Sequence, residues 1–152
     1  MFDERVRRCL DAGTSVLVGT VDPQGIPSCC RAIAITSGDD LKTVSVYLPI
    51  ATSQQIIQDI ATTHRMAVAA THLVEHFSIQ LKGTTQSARI AREDEAALVE
   101  SRQRVFGDVI HSLGVPRRLT RSLAHWPAFV VDMRVEDVFE QTPGPNAGSR
   151  IR

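Results

Sequence analysis

Along Phe77–Ile90 (FSIQLKGTTQSARI), Phe77, Ile79 and Leu81 alternate with Ser78, Gln80 and Lys82, the two-residue period of a half-buried strand. Gly83 interrupts the alternation and marks a bulge or a close approach to the backbone. Ser15–Val21 (SVLVGTV) is β-branched and apolar and forms a first strand. Asp22-Pro23-Gln24-Gly25 then places Pro and Gly where a tight turn wants fixed and positive φ, so a second strand, Ser28–Thr36, returns antiparallel. Ser37-Gly38-Asp39-Asp40 turns the chain into a third strand, Lys42–Leu48, which completes a meander. Met66–Thr71 is a fourth strand, Phe77–Ile90 the fifth, and Ala128–Val135, with an extension towards Phe139, the sixth.

Between the strands the period becomes helical. Residues 2–12 place Phe2, Val6, Cys9 and Leu10 on one side of a short helix that Gly13 ends. Ser53 to about Thr62 gathers Ile56, Ile57 and Ile60 on one face, and Thr52 with Gln55 has the spacing of a capping box. Glu93 to about Leu113 buries Leu98, Val105, Phe106, Val109, Ile110 and Leu113, with Glu93, Asp94 and Glu95 complementing the helix dipole. Gly114 and Pro116 stop that helix, and Arg117–Leu123 adds one or two more turns. The pattern predicts a mainly β, α+β domain: a six-stranded antiparallel barrel with peripheral helices, the alternative being an open sheet with helices on one face. One domain spans 1–141, and 142–152 is a turn-rich C-terminal tail.

Composition narrows the functions. Of 152 residues, 43 % are hydrophobic, and 17 basic side chains balance 17 acidic ones, which removes the electrostatic reason to expect nucleic acid or an anionic membrane. No run approaches the roughly 18 apolar residues that span a bilayer. The charged start, MFDERVRRCLDAG, lacks the apolar core of a signal peptide, so the expected location is cytoplasmic. Cys9, Cys29 and Cys30 are odd in number and lack metal spacing, as suits reduced thiols, and adjacent Cys29 and Cys30 point to opposite faces of a strand.

Candidate chemistry centres on Pro27–Asp59, where a strand ends in Leu48-Pro49-Ile50-Ala51 and a helix opens at Thr52-Ser53. Unpaired N–H groups and the dipole make such a junction a candidate phosphate pocket. His72-Leu73-Val74-Glu75-His76 spells H-x-x-E-H, an inverted zinc-protease signature, but its strand-like flanks make it a hairpin connection. Trp126 belongs to the core or an interface, and Arg117, Arg118 and Arg121 read as a solvated helix face. The chain has no P-loop, no G-x-G-x-x-G and no Ser-His-Asp order.

The segments VGTVDPQGIPSCCRAIAI, VSVYLPIATSQQIIQDIATTHRMAVAA and FSIQLKGTTQSARI resemble the pyridoxamine 5′-phosphate oxidase-like FMN-binding split barrels over roughly residues 3–100. The resemblance implies an FMN-dependent oxidoreductase, a homodimer with flavin at the subunit interface, and a small-molecule substrate. Arg31 matches the family's flavin-strand arginine, with Ala32, Ile33, Ala34, Ile35 and Thr36 as its neighbours. Leu48 and Pro49 match the strand end beside the flavin, and Ser78, ahead of Lys82-Gly83, matches a polar flavin contact. Ser53-Gln54-Gln55 falls on a Ser-Arg-Lys pattern whose two cations hold the FMN phosphate, so Gln54 and Gln55 replace both cations here. Two charge-assisted bonds become neutral ones of about half the strength. Thr52, Ser53 and Arg31 are left to hold a phosphate. The true oxidase's C-terminal Arg–His pair has no match, which rejects pyridoxine-phosphate oxidation. Because some members bind haem, the family also implies an alternative: a non-enzymatic binder of haem, through His72, His76 or His125, or of a deazaflavin or other anionic planar ligand.

Overall fold

A computed structural model describes residues 4–11, 13–38 and 42–151. Phe2, assigned above to the first helix, and Asp39 and Asp40 of the second turn lie outside the described residues. The chain runs α1 (Glu4–Arg8), β1 (Ser15–Val21), β2 (Pro27–Ala32), β3 (Ala34–Ser37), β4 (Thr43–Pro49), α2 (Ile50–Thr63), β5 (Arg65–His72) and β6 (Phe77–Ile90). A single 3₁₀ turn, Glu93–Glu95, leads to α3 (Ala96–Ser112), α4 (Arg117–Arg121) and β7 (Ala128–Glu140).

All seven strands form one antiparallel sheet in the order β2-β1-β5-β6-β7-β4-β3. Consecutive strands β2 and β3 therefore occupy opposite edges, and the sheet curls on itself into a half-barrel. The count is seven, not six, because the expected strand Ser28–Thr36 breaks at Ile33. There the chain leaves β1, the Ile33 N–H donates to the Tyr47 carbonyl, and β3 continues against β4. The expected pairings of the meander hold in two halves: β2 pairs with β1, and β3 pairs with β4, which has β7 on its other side.

Inward-facing side chains fill the barrel: Val16, Val18, Cys30, Ala32, Ile35, Val46, Leu48, Val68, Ile79, Leu81 and Met133, with Ile56 and Ile60 of α2. Outside it a second cluster seats α3, with Val99 packed among Ile33, Ala34, Tyr47 and Val130. The buried stripe of α3 is Val99, Gln103, Phe106 and Gly107, rotated from the expected one, and Leu113 is 54 % exposed. Gly83 is a bulge and a close approach at once. The register shifts between Lys82 and Gly83, and a Cβ on Gly83 would lie 1.9 Å from the Arg134 carbonyl oxygen. The tail folds back, Ile151 donating its N–H to the Val138 carbonyl. No helix among the described residues is long and apolar enough to cross a membrane.

Candidate functional site

Strand parity puts three of the expected site residues on one outward face. Register pairs link Arg31, Leu17, Ala69 and Gln80 across β2, β1, β5 and β6, and a second row links Cys29, Gly19, Ala67 and Lys82. Ser78 belongs to the same face of β6 and shares a 3.0 Å hydrogen bond with the Thr71 hydroxyl. Gly19, Ala67 and Ala69 carry almost no side chain, so the middle of this face is a flat shelf. Arg31 and Gln80 are separated by three strand spacings, about 14 Å. A cavity of about 270 Å³ opens at one end of the shelf, lined by Gly19, Thr20, Val21, Arg65, Met66, Ala67 and Lys82.

The shelf's cations differ in how they are held. Arg31 stacks 4.1 Å over the Phe106 ring, and both its terminal nitrogens reach Gln103 Oε1, at 3.4 and 3.5 Å. Among the described residues its Nε is buried without an acceptor and no carboxylate pairs with it, and burial lowers its pKa. Gln103 is itself fixed, donating to the Thr120 carbonyl at 2.8 Å. Lys82 sits 4.9 Å over Phe139, and Arg65 pairs with Glu136 at 2.7 Å.

The other expected residues separate from that face. Ala32, Ile35 and Leu48 point into the barrel core, whereas Ile33 and Ala34 are covered by α3. Thr36 is half-buried opposite Ser45. Thr52, Gln54 and Gln55 are exposed on α2.

At the start of α2 the expected cap is corrected. The helix begins at Ile50, with Pro49 at the N-cap and no capping side chain, so Thr52 and Ser53 lie inside the first turn. The Ser53 hydroxyl donates back to the Pro49 carbonyl at 2.6 Å and is fully buried. The Ile50 N–H is taken by the Pro127 carbonyl at 3.0 Å. Gln55 does not reach back to Thr52; its amide donates at 2.8 Å to Asp59.

Asp59 is the group that sequence reasoning missed. It is 2 % exposed and accepts from the Thr20 hydroxyl at 2.6 Å. Burial pushes its carboxyl pKa up, but hydrogen bonds from Thr20, Gln55 and Ser28 outweigh that and hold it below the ordinary carboxylate value. The available signal was its place on the Ile56–Ile60 face of α2, where a carboxylate has to find donors.

His72 ends β5 and His76 lies in the turn to β6, where the Glu75 N–H donates to His72 Nδ1, and no metal-binding group forms among the described residues. A cavity of about 350 Å³ between α3 and α4 takes in Arg104, Arg121 and His125, with Arg117 paired to Asp108 on its wall.

Solved structures share this architecture over almost the whole chain. HupZ of Group A Streptococcus, a tagged protein, aligns with 97 % of this chain and 100 % of its own at 19 % identity and a TM-score of 0.59. A putative pyridoxamine 5′-phosphate oxidase from Lactobacillus delbrueckii aligns at 19 % identity over 91 % and 93 %, with a TM-score of 0.53. The fold is that of the pyridoxamine 5′-phosphate oxidase-like split barrels. An FMN-binding protein from Syntrophomonas wolfei shares this split barrel at 6 % identity over 88 % and 79 %, with a TM-score of 0.54. No protein-family model and no curated protein matches the sequence.

Tested against a flavin mononucleotide, the two halves of this split barrel answer differently. The shelf suits a flat ring, because nothing on Gly19, Ala67 or Ala69 would hold it off the sheet. The start of α2 suits the phosphate poorly, because Gln54 and Gln55 are neutral and the Ser53 hydroxyl, the Gln55 amide and the Ile50 N–H are already bonded inward.

Proposed function

We propose that this chain is a flavin-binding split-barrel protein, an oxidoreductase that acts on a small molecule in the cytoplasm and takes FMN as its flavin. The observation that carries the reading is the outward shelf of Gly19, Ala67 and Ala69, flanked by Lys82 and by an Arg31 that no carboxylate among the described residues neutralises. A bound flavin supplies the electron and hydride transfer, and the protein's part is to hold the ring and set its surroundings. Arg31 serves as a fixed positive charge, pre-oriented by Phe106 and Gln103. Leu17 and Val21, 46 % and 37 % exposed, rim the shelf, and the proposed homodimer places a second copy across them.

The test is to titrate the purified protein with FMN, riboflavin and a deazaflavin, following absorbance, fluorescence and melting temperature. Binding quenches and shifts the flavin bands. At a hundredfold excess over Kd it adds about 2.7 kcal/mol, which raises Tm by roughly 5–10 °C. A sample that changes none of the three signals with any of these ligands loses this reading. A Soret band on adding haem, abolished in His72→Ala or His76→Ala, would replace it with the haem-binding alternative.

A further inference from the structure

We infer that the start of α2 is closed to tight phosphate binding, so that this protein recognises the ring and sugar-alcohol chain of a flavin and gains little from its terminal phosphate. The consequence for flavin choice rests on the reading above; the closure of the helix start does not. A helix start binds phosphate by offering free N–H groups, hydroxyls and cations together. The cations and most of the donors are withdrawn here, leaving the Ala51 and Thr52 N–H groups and the exposed Thr52 hydroxyl. Pro49 has no N–H to offer, and the Ile50 N–H is committed to the Pro127 carbonyl. The Ser53 hydroxyl is buried and donates to the Pro49 carbonyl. Gln54 brings no charge.

Gln55 turns its amide donors towards Asp59. Asp59, in the third turn of α2, is a buried carboxylate kept ionised by Thr20, Gln55 and Ser28, so the helix carries a fixed negative charge and no positive one. That charge opposes the helix dipole's attraction for a second anion. On the shelf, Arg65 is paired with Glu136, and Arg31, which keeps its charge, is drawn onto Gln103 and Phe106 of α3.

A phosphate gripped by two charge-assisted bonds makes FMN at least about tenfold tighter than riboflavin. Here the two should bind within about threefold of each other. Two measurements on the full chain test this. In the first, Kd values for FMN and riboflavin are compared in the wild type and in the double variant Gln54→Arg, Gln55→Lys. Near-equal values in the wild type, with FMN alone tightening in the variant, support the inference. FMN binding tenfold or more tighter than riboflavin in the wild type overturns it.

In the second, the backbone amides of residues 50–55 are followed by NMR as inorganic phosphate is added. Unmoved amides in the wild type support closure, and a saturable shift overturns it. If neither flavin binds and the amides stay still, the flavin reading falls while closure of the helix start stands.

Discussion

Gly19 and Thr20 are consecutive residues of β1, and they belong to two regions finished in opposite ways. Thr20 faces inward, where its hydroxyl meets Asp59 and joins a set of groups that satisfy one another at the base of α2. Gly19 faces outward onto the shelf, where Arg31 keeps an unanswered Nε and Lys82 has an aromatic ring beneath it. The inward region is complete without a ligand, because its buried charge has all its donors. The outward region is not, because burying part of a guanidinium without an anion costs free energy that packing alone does not return. Hydrogen-bond completeness thus separates a structural polar cluster from a site, even when resemblance points to both.

The comparison can be broken by changing one side at a time. The largest effect is expected from Asp59→Ala, which strands the donors of Thr20, Gln55 and Ser28 and should cost roughly 3 kcal/mol in urea denaturation. A variant of wild-type stability would show that the cluster holds nothing together. Gly19→Leu should do the reverse. A Cβ there would have only the Ser28 carbonyl oxygen nearby, at 3.9 Å, so stability should move by no more than about 0.5 kcal/mol. Flavin Kd should rise at least about tenfold as the shelf fills; unchanged binding would move the ring elsewhere.

A smaller effect separates the regions by pH. Asp59 titrates below its ordinary value of 3.8 in the folded protein, so its contribution to stability is full above about pH 4 and is lost as pH falls through the depressed value. The stability gap between wild type and Asp59→Asn should narrow below about pH 4, and a gap constant with pH would contradict the ionised carboxylate. Lys82→Met should matter least. It removes an exposed cation–π contact worth about 0.5 kcal/mol, and it should weaken flavin binding only a few-fold.

Much of the fold was legible because a β-branched, apolar run marks β1 and alternation in β6 reports which of its side chains the barrel swallows. The break at Ile33 was not, since it depends on the Tyr47 carbonyl competing for an N–H that local pattern assigns to a continuous strand. Thr52 and Gln55 carried a capping signature, yet the helix starts earlier. Pro49 already has the φ of −60° of an N-cap here, and Asp59 draws Gln55 away. For the site, Arg31 could be picked out by resemblance. Its clamp, Gln103 and Phe106, lies more than 70 residues later on a helix whose buried stripe is turned from the simple apolar pattern. Small residues such as Gly19, Ala67 and Ala69 leave little trace in a sequence, because their contribution is the room they leave.

The adjacent cysteines turn the sheet's two faces into a labelling experiment. Cys30 and Cys9 are buried, and burial pushes both thiols up to about 11, far from the reactive thiolate. Cys29 is exposed and lies opposite Gly19, in the row that continues to Ala67 and Lys82. A thiol-directed fluorophore would therefore go to one position in the native protein, beside the shelf, with no engineered cysteine and no competing site.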